Sequence, residues 1–229
     1  MKEKIYEMLQ LQNELNNDTN GPRWRERVTK QGKPIDWKRC IFMESAELID
    51  SFPWKHWKSI NAAPYYQNIK IELVDIWHFL MSYLLEQNDL HAAAKLIEES
   101  LATKSDMKIP QKWSPEENRN LALYLEPFEE LMALALIKGD SPELQRLLTE
   151  QFFAACDAAG LGFDELYRLY IGKNALNQFR QQHGYKEGKY KKVWDGREDN
   201  EVLQKILAQY PNISYSELLN QLERHYPKN

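Results

Sequence analysis

The chain has 229 residues, of which 43% are hydrophobic and 28% charged, and its formal net charge is −4 at neutral pH. This is an ordinary soluble composition, long enough for one large domain or two small ones. The acidic balance argues against a general nucleic-acid binder, and no apolar run reaches the roughly 18–20 residues that a membrane span needs.

The first residues, Met-Lys-Glu-Lys-Ile-Tyr-Glu, lack the apolar core of a signal peptide. Cys40 and Cys156 both sit in apolar helical patterns, so a disulfide framework is not expected and a reducing, cytoplasmic setting fits. Nine Gly against long Leu-, Ala-, Glu- and Lys-rich stretches point to helices.

Taken in order, Ile5, Met8, Leu9, Leu11 and Leu15 mark an amphipathic helix from about Glu3 to Asn17. The amides Gln12, Asn13, Asn16 and Asn17 lie near its end, before the Gly21-Pro22 stop. They suit either helix-end and turn chemistry or the edge of a ligand, since an amide offers both a donor and an acceptor. Asp36 is a candidate N-cap for a helix from about Trp37 to Ser51. The loop Phe52-Pro-Trp54-Lys-His56-Trp57-Lys is rich in aromatics, as a core lid or as a wall for a nucleobase. A second carboxylate-bearing helix is expected from about Tyr66 to Glu86 and another helix from His91 to Leu101. Ser114-Pro-Glu-Glu117 is a capping box that starts a helix running to about Lys138, ended by Gly139. Ser141-Pro142 starts the next, which Gly160 and Gly162 break, and Phe163 to about His183 forms another. Glu201 to Gln209 and Ser214 to His225 close the chain. No strand alternation of useful length, repeat, P-loop, GxGxxG, CxxC zinc site or GxSxG elbow is present.

The chemistry concentrates between Cys40 and Phe79. Glu44-x-x-Glu47 and Glu72-x-x-Asp75 each place two carboxylates on one helix face, framed by apolar residues. Pro53 and Pro64 lie in the loop that lets the second helix turn back on the first. If the faces meet, four carboxylates converge, and protons or cations must compensate them. Clustered oxygen ligands select hard cations, Mg²⁺ or Mn²⁺, and such a site usually handles phosphates. Asp75 and His78 also form a DxxH pair, read either as a ligand pair or as an internal histidine in a packed helix.

Lys173, Asn177 and Arg180 recur at i, i+4 and i+7 on one face. The segment from Lys173 to Arg197 holds seven Lys/Arg against two acids in an otherwise acidic protein. Interleaved with Gly and Tyr, it suits a mobile anion-binding segment or a charged surface hairpin. A metal site elsewhere makes phosphate the coherent partner.

Leu11 to Gly21, Glu44 to Lys58, Glu72 to His78, Lys173 to Lys186 and Gly196 to Asn200 resemble the successive motifs of the dimeric dUTPases of trypanosomatids and some bacteria, within the all-α MazG-like nucleotide pyrophosphatases. The resemblance implies an all-α, bundle-like single domain with a metal site between two carboxylate-bearing helices, a rigid core and a mobile basic segment around residues 173–200. It implies Mg²⁺-dependent hydrolysis of dUTP and dUDP to dUMP, with release of pyrophosphate or phosphate by attack of an activated water on a phosphorus of the chain. Glu44, Glu47, Glu72 and Asp75 would hold the metals, with Glu47 as the base. Lys173, Asn177, Arg180, Tyr185, Lys186 and Lys192 would contact phosphates. Gln12, Asn16, Trp54, His56 and Trp57 would contact base and sugar, and the protein would be a homodimer. The alternatives are an all-α pyrophosphatase for another nucleotide such as dCTP, a ferritin-like di-iron protein, or a helical binding module without activity.

Overall fold

A computed structural model describes residues 1–59 and 61–227. Ten α-helices dominate the described residues: α1 (Lys2–Asn20), α2 (Trp37–Asp50), α3 (Tyr66–Gln87), α4 (Leu90–Ser100), α5 (Pro115–Arg119), α6 (Leu121–Ala135), α7 (Pro142–Ala158), α8 (Phe163–Gln182), α9 (Asp199–Gln209) and α10 (Tyr215–His225). A 3₁₀ turn occupies Trp24–Glu26. Two short strands, β1 (Val193–Trp194) and β2 (Arg197–Glu198), pair antiparallel with Val193 opposite Glu198 and Trp194 opposite Arg197. Asp195 and Gly196, both at positive φ, make the tight turn between them.

The caps expected from sequence are formed. Asp36 accepts from the Arg39 amide, Ser114 and Ser214 close reciprocal capping boxes with Glu117 and Glu217, and Ser141 accepts from Leu144. Two boundaries differ from the sequence reading. α1 runs on to Asn20 and is capped by Gly21 at φ 90°, so Gln12 and Asn16 lie inside the helix rather than at its end. The helix expected from Pro115 to Lys138 is two helices, because the chain leaves the helical region at Asn120 (φ −99°, ψ 9°). Asn is a weak helix former and stabilises such breaks.

α2 packs against α3 and α6, α3 also packs against α1, α7 and α8, and α4 packs against α1 and α7. Ile41, Leu48, Leu73, Ile76, Trp77, Leu80 and Leu84 are fully buried in the main core. Trp77 stacks on Phe152 with centroids 4.9 Å apart. A second, smaller core joins the C-terminal half of α8 to the hairpin, α9 and α10 through Leu176, Phe179, Trp194, Leu203, Ile206 and Leu218. Gly172 permits that join: a Cβ there would lie 2.6 Å from Leu207 Cδ1 of α9. Trp77 is a sensitive point of the main core, because its removal leaves a large void. Trp77→Ala is expected to cost about 3–5 kcal/mol, read by urea denaturation with the slope unchanged.

Candidate active site

Helix periodicity and the return of α3 on α2 bring Glu44, Glu72 and Asp75 together. One carboxylate oxygen from each lies within 4.8 Å of the other two. Glu47, one turn beyond Glu44, is exposed at the rim, and its charge acts on both Glu44 and Glu72. Asn68, one turn before Glu72, donates to Glu72 Oε1 at 3.0 Å and to Ser51 Oγ at 2.8 Å, which fixes the carboxylate and the α2 end together. Lys173 crosses from α8 with only 7% of its surface exposed; its ammonium bonds Asp75 Oδ2 at 2.8 Å and Asn200 Oδ1 at 3.1 Å.

The electrostatics follow from burial. Burial first, then the charges of Asp75, Glu47 and Glu72, push the Glu44 carboxyl up to about 8, opposed by Lys173. Burial and Asp75 push Glu72 up to about 7. Oxygen donors this close, two of them with carboxyls raised toward neutrality by burial and neighbouring acids, fit a hard divalent cation.

Beside the carboxylates lies a cleft of about 400 Å³ whose lining includes Gln12, Asn16, Asp75, His78, Asn177, Arg180 and Tyr185, with Trp37, Cys40 and Phe79. Asp75 belongs to both the cleft and the carboxylate cluster. Trp37 and Phe79 stack at 6.3 Å and give the cleft an aromatic wall. Gln12 and Asn16 belong to a buried network. Gln12 Oε1 accepts from His78 Nδ1 at 2.7 Å and from the Tyr170 hydroxyl at 3.2 Å, and Gln12 Nε2 donates to Ser82 Oγ at 3.0 Å and Asn16 Oδ1 at 3.2 Å. Asn16 Nδ2 donates to the same Ser82 hydroxyl, which passes its own proton to the His78 carbonyl. Burial pushes the His78 imidazole down to about 3, so it is neutral. With Nδ1 donating to Gln12, Nε2 is a bare acceptor, and it has no partner in the described structure. His78 is not one of the three residues of the carboxylate cluster.

Arg180 reaches the same cleft from α8. Its Nε and Nη2 each donate to Asp199 at 2.8 Å, and Nη1 donates to Asn177 Oδ1 at 3.1 Å. Burial alone would raise the Asp199 carboxyl, but Arg180 and Tyr190 hold it below the usual carboxylate range. Of the other basic residues, Lys186 bonds the Thr19 carbonyl at the cleft mouth, and Lys192 lies 3.5 Å from Glu198 on the hairpin. Trp54, His56 and Trp57 form their own exposed cluster, with Trp54 donating to Asp50, and do not line the cleft.

Trp37, Phe79, His78 and Asp199 are the site residues that sequence reasoning did not assign. His78 carried a signal in its spacing from Asp75. Trp37 and Phe79 read only as helix start and core.

The raised carboxyls set a sign for the pH dependence of stability. Between about pH 4.5 and 8 the folded state holds protons on Glu44 and Glu72 that the unfolded chain has released. Their contribution to stability therefore falls as pH rises through that window. In the metal-free protein, the melting temperature of Glu44→Gln relative to wild type is expected to climb from pH 5 to pH 8. Adding Mg²⁺ or Mn²⁺ is expected to raise the wild-type value more at pH 8 than at pH 5.5. A cation effect independent of pH would contradict the assignment.

Comparison with known proteins adds the family. A family model described as dUTPase matches residues 4–185. The match takes in the carboxylate cluster and the cleft residues from α1, α2, α3 and α8, and leaves the hairpin, α9 and α10 outside it. No match was found among curated proteins. A match of this extent to an enzyme family also removes the alternative of a binding module without activity. The chain belongs to the all-α MazG-like dUTPase family, whose activity is that of a dUTP diphosphatase.

Proposed function

We propose that the protein hydrolyses both dUTP and dUDP to dUMP in a Mg²⁺-dependent reaction, and that it does so as a cytoplasmic homodimer. The observation that carries this is the shared residue Asp75, which joins a three-carboxylate cluster to a cleft of nucleoside size that Arg180 also lines. The bound cation would neutralise phosphate charge and make water easier to deprotonate.

The residues then take separate roles. Glu44, Glu72 and Asp75 hold the cation, with Glu47 available from the rim. Glu47, exposed and beside the cluster, accepts the proton of the attacking water. Lys173 and Arg180 face the phosphate oxygens, joined by Asn177 and Tyr185 from the cleft wall, and Lys186 and Lys192 approach from the basic segment. The base occupies the end of the cleft bounded by Gln12, Asn16 and His78. The uracil imide N–H is a donor, and His78 Nε2, buried and without a partner, is the acceptor that matches it once a small shift of the ring opens it to the cleft; cytosine offers a lone pair at that position and would leave two acceptors face to face. Trp37 and Phe79 are in place to flank the ring, whereas a contact from Trp54, His56 or Trp57 requires that loop to move onto the cleft.

Two observations support the remaining parts of the proposal. Met43, Leu136 and Ile137, apolar and about half exposed or more, line one surface pocket, which suits an interface between copies. Both cysteines are free, and among the described residues no helix is long and apolar enough to cross a membrane.

The test is release of pyrophosphate or phosphate from dUTP, dUDP, dCTP, dTTP and UTP, with Mg²⁺ and with EDTA. Hydrolysis of dUTP and dUDP alone, lost in EDTA, is the expected result. Equal use of dCTP would overturn the base assignment, and hydrolysis of dUTP in EDTA would overturn the metal assignment. Glu47→Gln is expected to lower kcat by roughly 10²–10⁴ while keeping nucleotide affinity, measured by steady-state kinetics and equilibrium binding.

A further inference from the structure

We propose that Asp199, at the first turn of α9 and outside the family-matched span, is a positioning residue that presets Arg180 as a phosphate fork. The inference rests on the nucleotide reading of the cleft and adds to it how Arg180 is held.

Asp199 is 0% exposed, so its carboxylate touches no substrate. It is fully engaged: it accepts Nε and Nη2 of Arg180, the Tyr190 hydroxyl at 2.8 Å and the backbone N–H of Asn200 at 2.8 Å. Arg180 has five N–H groups, and two of these go to Asp199 and one to Asn177. The two that remain sit on Nη1 and Nη2. One N–H on each of these two nitrogens is thus left to meet a pair of phosphate oxygens. The Arg180 side chain is only 12% exposed, and the residue lines the cleft, so the free fork is presented there rather than to bulk solvent. A long, flexible arginine would otherwise lose rotamer freedom on binding, and fixing it beforehand lowers that cost.

The neighbouring residue extends the device. Asn200 accepts from Lys173, the other cation of the site, at 3.1 Å. One helix start thus holds both phosphate-facing cations. Its own position is set by the second core, where Leu203 and Leu207 of α9 pack against α8. Tyr190 ties the basic segment into the same point.

The experiment compares binding of α,β-imido-dUTP, inorganic pyrophosphate and deoxyuridine to wild type, Asp199→Asn, Arg180→Gln and the double variant, with folding checked by circular dichroism. Asp199→Asn is expected to weaken imido-dUTP and pyrophosphate about tenfold or more and to leave deoxyuridine unchanged. The double variant is expected to bind no worse than Arg180→Gln, because Asp199 acts through Arg180. Equal losses for deoxyuridine, or additive losses in the double variant, would overturn the proposal. If Asp199→Asn does not fold, Tyr190→Phe removes the bond from the Tyr190 hydroxyl to Asp199 and is read the same way: a loss confined to phosphate ligands supports the proposal, and no loss or a shared loss overturns it. Absence of imido-dUTP and pyrophosphate binding by the wild type would overturn the nucleotide reading and this inference together. Wild-type binding with an unaffected Asp199→Asn would overturn the inference alone.

Discussion

Everything in the site depends on forcing acidic groups together in a partly dry space. α2 and α3 bring Glu44, Glu72 and Asp75 into one small volume, with Glu47 at its edge. Packing of the apolar faces around Leu48, Leu73 and Ile76 supplies the free energy, and the carboxylates bear the electrostatic cost. Protons on Glu44 and Glu72 and the ammonium of Lys173 relieve it in the unliganded protein. A cation bound there would replace those protons, and a phosphate chain would then draw on Lys173.

The same economy of charge organises the cleft next door. Arg180 and Asp199 are nearly or fully buried, so either alone would be costly, and together they form a bidentate pair. The buried amides obey the same rule. Gln12, Asn16, Ser82, His78 and Tyr170 satisfy one another, and the atom left over is His78 Nε2. The remaining acceptor, His78 Nε2, is buried beside the cleft that Arg180 also lines.

Much of this was legible in the sequence because it depends on local periodicity. The two carboxylate pairs, the α2 and α3 helices and the Asp36, Ser114, Ser141 and Ser214 caps are set by residues within a few positions of each other. The face shared by Lys173, Asn177 and Arg180 was legible for the same reason. The break at Asn120 and the continuation of α1 to Asn20 were missed because they turn on small backbone preferences that packing decides. His78 reads two ways in the sequence because its neutral state comes from burial and its tautomer from Gln12, 66 positions away. Asp199 lies within the Gly196 to Asn200 motif, but its pairing with Arg180 exists only once α9 packs back onto α8. The aromatic loop of Trp54, His56 and Trp57 drew attention by composition, while the aromatics that line the cleft, Trp37 and Phe79, are spaced across two helices.

The central claim is that the clustered carboxylates exchange protons for a divalent cation. It is tested most directly by calorimetric titration of Mn²⁺ into the metal-free protein at pH 7 in buffers of different ionisation enthalpy, which counts protons released per cation bound. The account predicts net proton release on binding, and loss of that binding in the Glu44→Gln, Glu72→Gln double variant. Binding without proton release, or binding retained by the double variant, would contradict it.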